Sequence, residues 1–145
     1  MNISQKGIDF IKKYEGLELK PYKCPAGKWT IGYGHVTTPE KYSVITKEIA
    51  EQLLLEDIKI AENVIKSSVC VYLNQQQFDA LVSLVYNVGN KAFLKSKGLD
   101  FLNKKDFKNT VIEFFSKEKG FVNIKGKQNQ GLINRRQDEW NLFLC

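Results

Sequence analysis

A chain of 145 residues that is 43% hydrophobic and 26% charged is long enough to fold around one hydrophobic core, which excludes a disordered protein. No apolar run approaches the roughly 18 residues of a membrane helix, and the N-terminus lacks the apolar core of a secretory signal. We therefore expect a soluble protein made in the cytosol. The net charge of +6 favours an anionic partner, which nucleic acid, a membrane surface or an acidic cell-wall polymer would each provide.

Three cysteines, Cys24, Cys70 and Cys145, form an odd set without metal-type spacing, and we expect them to be reduced in the cytosol. Whether Cys70 and Cys145 pair stays open at this point. No motif predicts a metal site or a bound cofactor. Arg135 and Arg136 are the only arginines, so bidentate recognition of bases or phosphates is poorly supplied, and nucleic acid is the least favoured partner.

The N-terminal third predicts one helix followed by a small sheet. Ser4 is a suitable N-cap for a helix that ends near Gly16, which places Glu15 on its last turn. From about residue 20 to 38, prolines and glycines interrupt any helix, whereas aromatic and β-branched residues favour strands. We expect a twisted antiparallel hairpin or a three-stranded sheet here.

The remainder predicts helices only. Thr46 is a suitable N-cap for a long helix over about 46–67, in which apolar residues recur every three or four positions. A second helix runs from Gln75 to Gly89, and shorter helical patterns cover about 92–102 and 106–116. A polar loop over 120–131 leads to a last helix over about 132–143. The class is α+β, with the sheet confined to the N-terminal part.

Potential chemistry is concentrated between Glu15 and His35. Glu15 projects from the end of a helix beside a glycine-rich sheet, where a half-buried carboxylic acid can stay protonated and act as a general acid. A solvated surface glutamate is the alternative. Trp29 and Tyr33 are candidates for stacking on sugar rings, although core packing is the more common role of aromatic residues in a small domain.

The spacing within this stretch resembles that of the phage-type lysozymes, the muramidase endolysins. Eight residues separate Glu15 from Cys24, and five separate Cys24 from Thr30, which is similar to the family pattern of Glu, then Asp or Cys, then Thr. Further similar segments are Glu15-Gly16-Leu17, Pro21-Tyr22-Lys23, Trp29 to His35, Thr46-Lys47-Glu48, Leu53 to Asp57, Gln77 to Leu81, Asn87-Val88-Gly89 and Gly131 to Arg136.

The resemblance implies a monomeric, cofactor-free enzyme that hydrolyses the β-1,4 bond between N-acetylmuramic acid and N-acetylglucosamine in peptidoglycan. In this chain Glu15 would be the general acid, Cys24 would replace the usual aspartate, and Thr30 would help to hold the attacking water. Such an arrangement implies hydrolysis with inversion. The resemblance also implies one domain, 1–145, with an N-terminal lobe over about 1–57, a connecting helix over about 46–67 and a helical lobe over about 70–145.

Supporting roles follow from the same resemblance. It implies substrate contacts, an ion pair between His35 and Asp57 that ties the sheet to the long helix, and an approach of Arg135 to Glu15. It also implies release from the host cytoplasm to the cell wall by a separate holin, without stable membrane insertion. The residues that match substrate contacts are Val36, Tyr86 and Ser96.

Cys24 leaves two other functions open. A neutral thiol is a poor acceptor and only a few per cent ionised at neutral pH, although Lys20, Lys23 and Lys28 are expected to lower its pKa. A lytic transglycosylase needs only the acid and forms an anhydro sugar without adding water. A catalytically silent peptidoglycan-binding protein would need neither group.

Overall fold

The structure, a computed structural model, describes all 145 residues and comprises seven helices and five short strands, which confirms the α+β class. In chain order these are α1 Gln5–Glu15, β1 Glu18–Lys23, β2 Trp29–Gly32, β3 His35–Val36, α2 Lys47–Ser68, α3 Gln75–Val88, α4 Asn90–Leu94, α5 Lys97–Asn103, α6 Phe107–Phe115, β4 Asn123–Ile124, β5 Lys127–Gln128 and α7 Gln130–Leu144.

Side-chain caps set the start of the principal helices. The hydroxyl of Ser4 accepts from Gly7 N at 3.1 Å, and the hydroxyl of Thr46 accepts from Ile49 N at 3.2 Å, as expected for N-caps of α1 and α2. Asn74 and Gln77 form a reciprocal capping box at the start of α3. Each cap satisfies a backbone N–H that has no partner within the helix, so these helices begin at defined residues.

The N-terminal sheet is antiparallel in the order β1-β2-β3. Its central strand pairs Thr30 with Tyr22 on one side and with Val36 on the other. The register of β1 shifts between Glu18 and Tyr22, where Pro21 has no N–H to donate. This register places three side chains in one row across the sheet.

The hydrophobic core lies mainly in the helical lobe. Residues 78–85 of α3 are all buried, and α3 packs against α7, α2 and α1. The α2 helix, 22 residues long, extends from the sheet to this core. One hydrophobic cluster therefore joins the sheet and the helices.

Three features differ from the sequence-based expectations. First, α1 packs on α3, a contact that the sequence pattern does not indicate; Ser4 N, for example, donates to Asp79 Oδ1 at 2.9 Å. Second, the expected helix over 92–102 is divided into α4 and α5, because Ser96 is an N-cap and starts a new helix. Third, the expected loop over 120–131 contains the β4–β5 hairpin, so strands are not confined to the N-terminal lobe.

The hairpin turn explains why the sequence pattern missed it. Its two strands have two residues each, too short for a visible alternation of apolar and polar side chains. The connecting residues, Lys125 and Gly126, have φ of +50° and +81°. This is the left-handed pair of a tight two-residue hairpin turn, but Asn or Gly is the usual signal at the first position rather than Lys.

Candidate active site

A cleft of about 780 Å³ lies between the sheet and the helical lobe. Its walls include the ends of α1 and α3, the β1–β2 turn, and the segment around the β4–β5 hairpin. It brings together most of the expected site residues, although they come from distant parts of the chain. The expected residues that line it are Glu15, Cys24, Thr30, Val36, Tyr86 and Arg135.

Glu15 is held at the C-terminal end of α1, where the following residue, Gly16, leaves the helix at φ +67°. Its side chain is 14% exposed, so the carboxyl group faces the cleft from a largely buried position. Gly34 packs directly on this carboxyl group: a Cβ built at Gly34 would lie 2.8 Å from Glu15 Oε2. Only glycine allows the sheet to approach the acid this closely.

Arg135 reaches Glu15 from α7. Its Nη1 donates to Glu15 Oε1 at 3.3 Å, and its Nη2 donates to the backbone oxygen and the hydroxyl of Ser83 at 3.4 and 3.3 Å. The guanidinium group also lies 5.5 Å from the ring centroid of Tyr14. The arginine side chain is 4% exposed, so the ion pair with Glu15 is shielded from water on its arginine side.

Cys24 lies at the tight turn that joins β1 to β2. Gly27 N donates to Cys24 O at 2.8 Å, and Cys24 N donates to Lys28 O at 2.9 Å. This turn directs backbone N–H groups at the sulfur. Burial raises the pKa of Cys24, but hydrogen bonds from the backbone of Lys28, Ala26 and Gly27 and from the hydroxyl of Thr30 outweigh it, so the pKa lies below its ordinary value.

The cause of this shift differs from the expected one. The sequence suggested that the ammonium groups of nearby lysines would stabilise a thiolate. In the structure the backbone amides of the turn and one hydroxyl do so instead. A thiolate held by several N–H groups is an anion and a strong hydrogen-bond acceptor, whereas a neutral thiol is only a weak one.

Thr30 is 3% exposed and lies on the central strand beside Cys24. Its single hydroxyl hydrogen turns either to Lys28 O, 3.0 Å away, or to the Cys24 thiolate, and in both orientations the oxygen keeps lone pairs that can accept a hydrogen bond. Tyr22 and Val36 flank it in the register of the sheet, and both also line the cleft. The hydroxyl is thus held rigidly at the wall of the cleft.

His35 and Asp57 lie outside the cleft and in contact with each other. His35 Nδ1 is 2.6 Å from Asp57 Oδ2, and their side chains are 19% and 26% exposed. Because His35 belongs to β3 and Asp57 to α2, this contact joins the sheet to the long helix.

The aromatic candidates separate into cleft and core residues. Tyr86 lines the cleft with its ring, while its hydroxyl donates to Tyr33 O and burial raises its pKa. Tyr33 is 6% exposed and belongs to the hydrophobic core, and Trp29 is not among the cleft-lining residues. Tyr86 is therefore the one of these three aromatic residues that lines the cleft.

Val36 and Ser96 also differ in whether they line the cleft. Val36 is 58% exposed and lines the cleft, an unusual degree of exposure for an apolar strand residue. Ser96 does not line the cleft. Its hydroxyl donates to Phe93 O at 2.6 Å and accepts from Leu99 N at 3.2 Å, so both of its hydrogen-bonding functions are used in capping α5.

The wall opposite the sheet was not expected from the sequence. It consists of residues 120–125 with Asn129 and Leu132, and its charged member, Lys125, faces a cleft whose other rim carries Lys28. Glu15 is the single acidic residue among the lining residues. The cleft thus combines one buried acid with a cationic rim, and positions on a polar loop give no periodic signal that would have revealed it.

Other features of the chain concern ions, thiols and membranes. No three His, Cys, Asp or Glu side chains converge as a metal site. Cys70 and Cys145 are exposed and form no disulfide bond. None of the helices is sufficiently long and apolar to cross a membrane.

Comparison with known proteins agrees with this geometry. Residues 12–139 match the model of the phage lysozyme family. The chain is 46% identical over 143 residues to the endolysin of Acyrthosiphon pisum secondary endosymbiont phage 1, covering 99% of this chain and 98% of that protein. It is 40% identical over 149 residues to the endolysin of Salmonella phage P22, covering 99% of each.

Solved structures show the same relationship. The muramidase domain of SpmX from Asticaccaulis excentricus superposes with a TM-score of 0.83 at 33% identity, covering 99% of this chain and 98% of that domain. Both the sequence identity and the shared fold extend over the whole chain, including every element that forms the cleft. The chain therefore belongs to the phage lysozyme family and is a glycoside hydrolase of the lysozyme, or muramidase, type.

Proposed function

We propose that this enzyme hydrolyses the β-1,4 bond between N-acetylmuramic acid and N-acetylglucosamine in peptidoglycan, with Glu15 as the general acid and Cys24 and Thr30 as the groups that hold the attacking water. The observation that supports this is the presence of a largely buried carboxyl group and a hydrogen-bonded thiol in one cleft. Acid-assisted cleavage of a glycosidic bond needs one proton donor and one group that orients a nucleophile.

The proposed reaction proceeds with inversion. Glu15 protonates the leaving oxygen as the glycosidic bond breaks, while a water molecule bonds to the anomeric carbon from the opposite face of the sugar and gives its proton to the Cys24 thiolate. Thr30 accepts a second hydrogen bond from the same water. A thiolate supplies the negative charge that a carboxylate would otherwise supply near an oxocarbenium-like transition state.

Substrate contacts belong to the same proposal. Val36 from the sheet and Tyr86 from α3 present apolar surface from opposite sides of the cleft, which suits the faces of sugar rings. Lys28 and Lys125 flank the opening, where their charges would attract the carboxylates of peptides attached to the glycan. A cleft with a cationic rim and an apolar interior therefore fits a glycan whose attached peptides carry carboxylates.

The decisive experiment is a turbidity assay of cell-wall lysis. Glu15→Gln is expected to abolish lysis, because the amide cannot donate a proton to the leaving oxygen. Glu56→Gln is the matched control, since Glu56 is an exposed glutamate on α2 outside the cleft, and it is expected to lyse like the wild type. Full lysis by Glu15→Gln would refute the proposed role of the acid.

A lytic transglycosylase is the second candidate, favoured by one observation: the position opposite the acid is a thiol and not a carboxylate. Such an enzyme would release anhydro sugars without consuming water. Mass spectrometry of digested peptidoglycan separates the two reactions, because hydrolysis adds 18 Da to each cleaved bond, the mass of one water. We expect reducing ends, and exclusively anhydro products would assign the second activity.

Access to the cell wall is also part of the proposal. We infer, from the resemblance to phage endolysins, that the enzyme is synthesised in the host cytoplasm and reaches peptidoglycan when a separate holin permeabilises the inner membrane. Expression in a bacterium is then expected to cause lysis only when a pore former is co-expressed or chloroform is added. Prompt lysis on expression of the enzyme alone would contradict this route.

A further inference from the structure

The C-terminal helix carries a buried charged cluster that the proposed reaction does not use. Arg136 and Glu139 on α7 are each 0% exposed, and Arg135 beside them is 3% exposed. Neither Arg136 nor Glu139 lines the cleft. Burying charged groups costs free energy unless they are paired, so this cluster lies in the core despite a penalty that apolar residues would avoid.

Glu139 lies between the two arginines. Its Oε1 accepts a hydrogen bond from Arg136 Nε, and its Oε2 lies 3.9 Å from Arg135 Nε. At this distance the two atoms are not hydrogen-bonded to each other, and neither has a hydrogen-bond partner, although both are buried. The two atoms therefore face each other across a gap that a small shift of either side chain would close.

Each arginine continues to a different wall of the cleft. Arg135 Nη1 donates to Glu15 Oε1 at 3.3 Å, at the reaction centre. Arg136 Nη1 donates to Phe121 O at 3.2 Å, on the wall opposite the sheet. The buried carboxylate of Glu139 thus contacts both Arg135, which bonds to Glu15, and Arg136, which bonds to the opposing wall of the cleft.

We propose that Glu139 is a positioning residue for the reaction: it holds Arg135 against Glu15, offsets part of the positive charge of Arg135 so that Glu15 retains its proton, and through Arg136 secures the cleft wall at Phe121. The inference rests on the proposed function of Glu15 as the acid. It concerns a residue that touches no substrate and acts only through the arginines.

The charges around Glu15 give the direction of the effect. Apart from Glu15 itself, the cluster contains two guanidinium cations and one carboxylate, so neutralising Glu139 adds one net positive charge beside the acid. A nearby positive charge favours loss of a carboxylic proton. The other titratable groups that face Glu15 and the cluster are Tyr14 and Asp138, which hydrogen-bond to each other, together with Tyr86, Tyr22 and the Cys24 thiol in the same cleft.

The tyrosines among these groups keep their protons in the range of the reaction. Burial and the bond with Asp138 raise the pKa of Tyr14 to about 12, and burial raises the pKa values of Tyr22 and Tyr86. Burial also raises the pKa of Glu139, and the positive charges of Arg136 and Arg135 lower it again in part. Because arginine does not lose its proton in proteins, an ionised Glu139 is the form that balances the pair.

The test is the pH profile of kcat for Glu139→Gln, which keeps the size and one oxygen of the side chain but removes its charge. Glu139→Gln and its reference protein both carry Cys24→Asp, whose carboxyl group ionises at about pH 4, so that the limb on which activity falls with rising pH reports loss of the proton from Glu15. We expect this limb to move to lower pH by about one unit, with KM unchanged. Glu139→Asp, which restores the charge, is expected to return the limb towards its wild-type position.

Glu62→Gln is the matched control for lost stability. Glu62 is another buried glutamate, 8% exposed, whose Oε2 accepts from Ile3 N at 2.6 Å, and it lies outside the cleft. It is expected to lower the melting temperature without moving the pH profile. If Glu139→Gln also lowers only the melting temperature and keeps the wild-type profile, Glu139 is merely structural and the inference is wrong.

A second readout separates this inference from the proposed function. A carbon-13 NMR titration of the Glu15 carboxyl group, in wild type and in Glu139→Gln, measures the charge effect without any turnover. A lower midpoint in the variant supports the inference, and identical midpoints overturn it. Absence of lysis by the wild-type enzyme would instead refute the proposed function, whatever the titration shows.

Discussion

At the scale of single residues, the chemistry of the site depends on how the backbone surrounds the side chains of Cys24 and Glu15. The turn at Cys24 directs N–H groups at the sulfur, and the glycine at position 34 lets the sheet contact the carboxyl group of Glu15. Both effects come from backbone conformation and not from neighbouring charged side chains. Each can therefore be tested by a substitution that alters little else.

The first prediction concerns the thiolate of Cys24. Because its pKa is lowered from the ordinary value of 9.0, the thiolate form is expected to increase with pH through a midpoint below 9.0. The rate of alkylation by iodoacetamide, measured against pH in a Cys70→Ser/Cys145→Ser background, reports this midpoint. A midpoint at or above 9.0 would show that the turn does not stabilise the anion.

Activity should follow the same titration. Lysis is expected to rise with pH as the thiolate forms, whereas in Cys24→Asp this rising limb moves to the acidic range near 4, where a carboxylic acid ionises. Cys24→Asp should keep lytic activity, and Cys24→Ser should lose most of it because a hydroxyl stays neutral. Equal activity of Cys24→Ser and the wild type would contradict a role for the thiolate.

The second prediction concerns Gly34, at φ +78°, where a Cβ would lie 2.8 Å from Glu15 Oε2. Gly34→Ala is expected to displace the acid and to lower kcat by about 100-fold. Gly89→Ala is the control, because Gly89 has φ +91° but no atom within 4 Å of its added Cβ. Both variants should lose about 1–2 kcal/mol of stability, since alanine is strained in this conformation.

Comparison of the two alanine variants isolates the contact with the acid from the strain in the backbone. Steady-state kinetics with purified peptidoglycan and thermal unfolding should be measured on the same samples. If Gly34→Ala and Gly89→Ala lose kcat equally, the close approach of the sheet to Glu15 does not position it.

At the scale of elements, one contact joins the sheet to the long helix. The His35–Asp57 pair links β3 to α2 at 2.6 Å, and both side chains are mostly shielded from solvent. A hydrogen bond to a charged group contributes more than an exposed ion pair, because fewer competing waters reach it. The pair should therefore hold the orientation of the sheet relative to α2.

A double-mutant cycle tests this third prediction. His35→Ala, Asp57→Ala and the double variant are expected to give a coupling energy of about 1.5 kcal/mol in urea unfolding. The control is the Lys12–Glu51 pair between α1 and α2, with side chains 25% and 34% exposed, for which we expect about 0.5 kcal/mol. A coupling energy near zero for His35–Asp57 would mean that other contacts hold the sheet.

At the scale of the whole molecule, the positive charge should increase the rate of encounter with an anionic cell wall. With a net charge of +6, attraction extends over a Debye length of about 10 Å at 0.1 M salt and shrinks as salt is added. The fourth prediction is that the rate of lysis falls severalfold between about 0.05 and 0.5 M sodium chloride.

Sucrose of equal osmolality is the control for this experiment, because it changes the osmotic pressure without screening charges. It should leave the rate near its low-salt value. A rate that is independent of salt would show that binding to the wall does not depend on the overall charge.

The sequence predicts the features that depend on residues close together in the chain, and it misses those that depend on distant residues. The caps at Ser4 and Thr46 and the start of α3 were predicted because a cap depends on residues within one turn. The β4–β5 hairpin, the division between α4 and α5, and the packing of α1 on α3 were missed. Each of these depends on very short strands or on contacts between distant segments.

Site residues follow the same rule. Glu15, Cys24 and Thr30 lie within 16 residues of one another, so their spacing alone indicated a site. Glu139 gave no such signal, because a glutamate on a polar helix is usually solvated. It is buried only because α7 packs against α3.

The amino-acid sequence by itself determined the α+β class, the principal helices and the local order of acid, thiol and hydroxyl, since these depend on propensity, periodicity and spacing along the chain. The tertiary structure alone decided which groups meet. Arg135 contacts Glu15 across 120 positions, an approach that spacing along the chain did not predict and only the family resemblance implied, and residues 120–125 form the wall that faces the sheet. Such contacts depend on how buried surfaces pack, and spacing along a chain does not encode that directly.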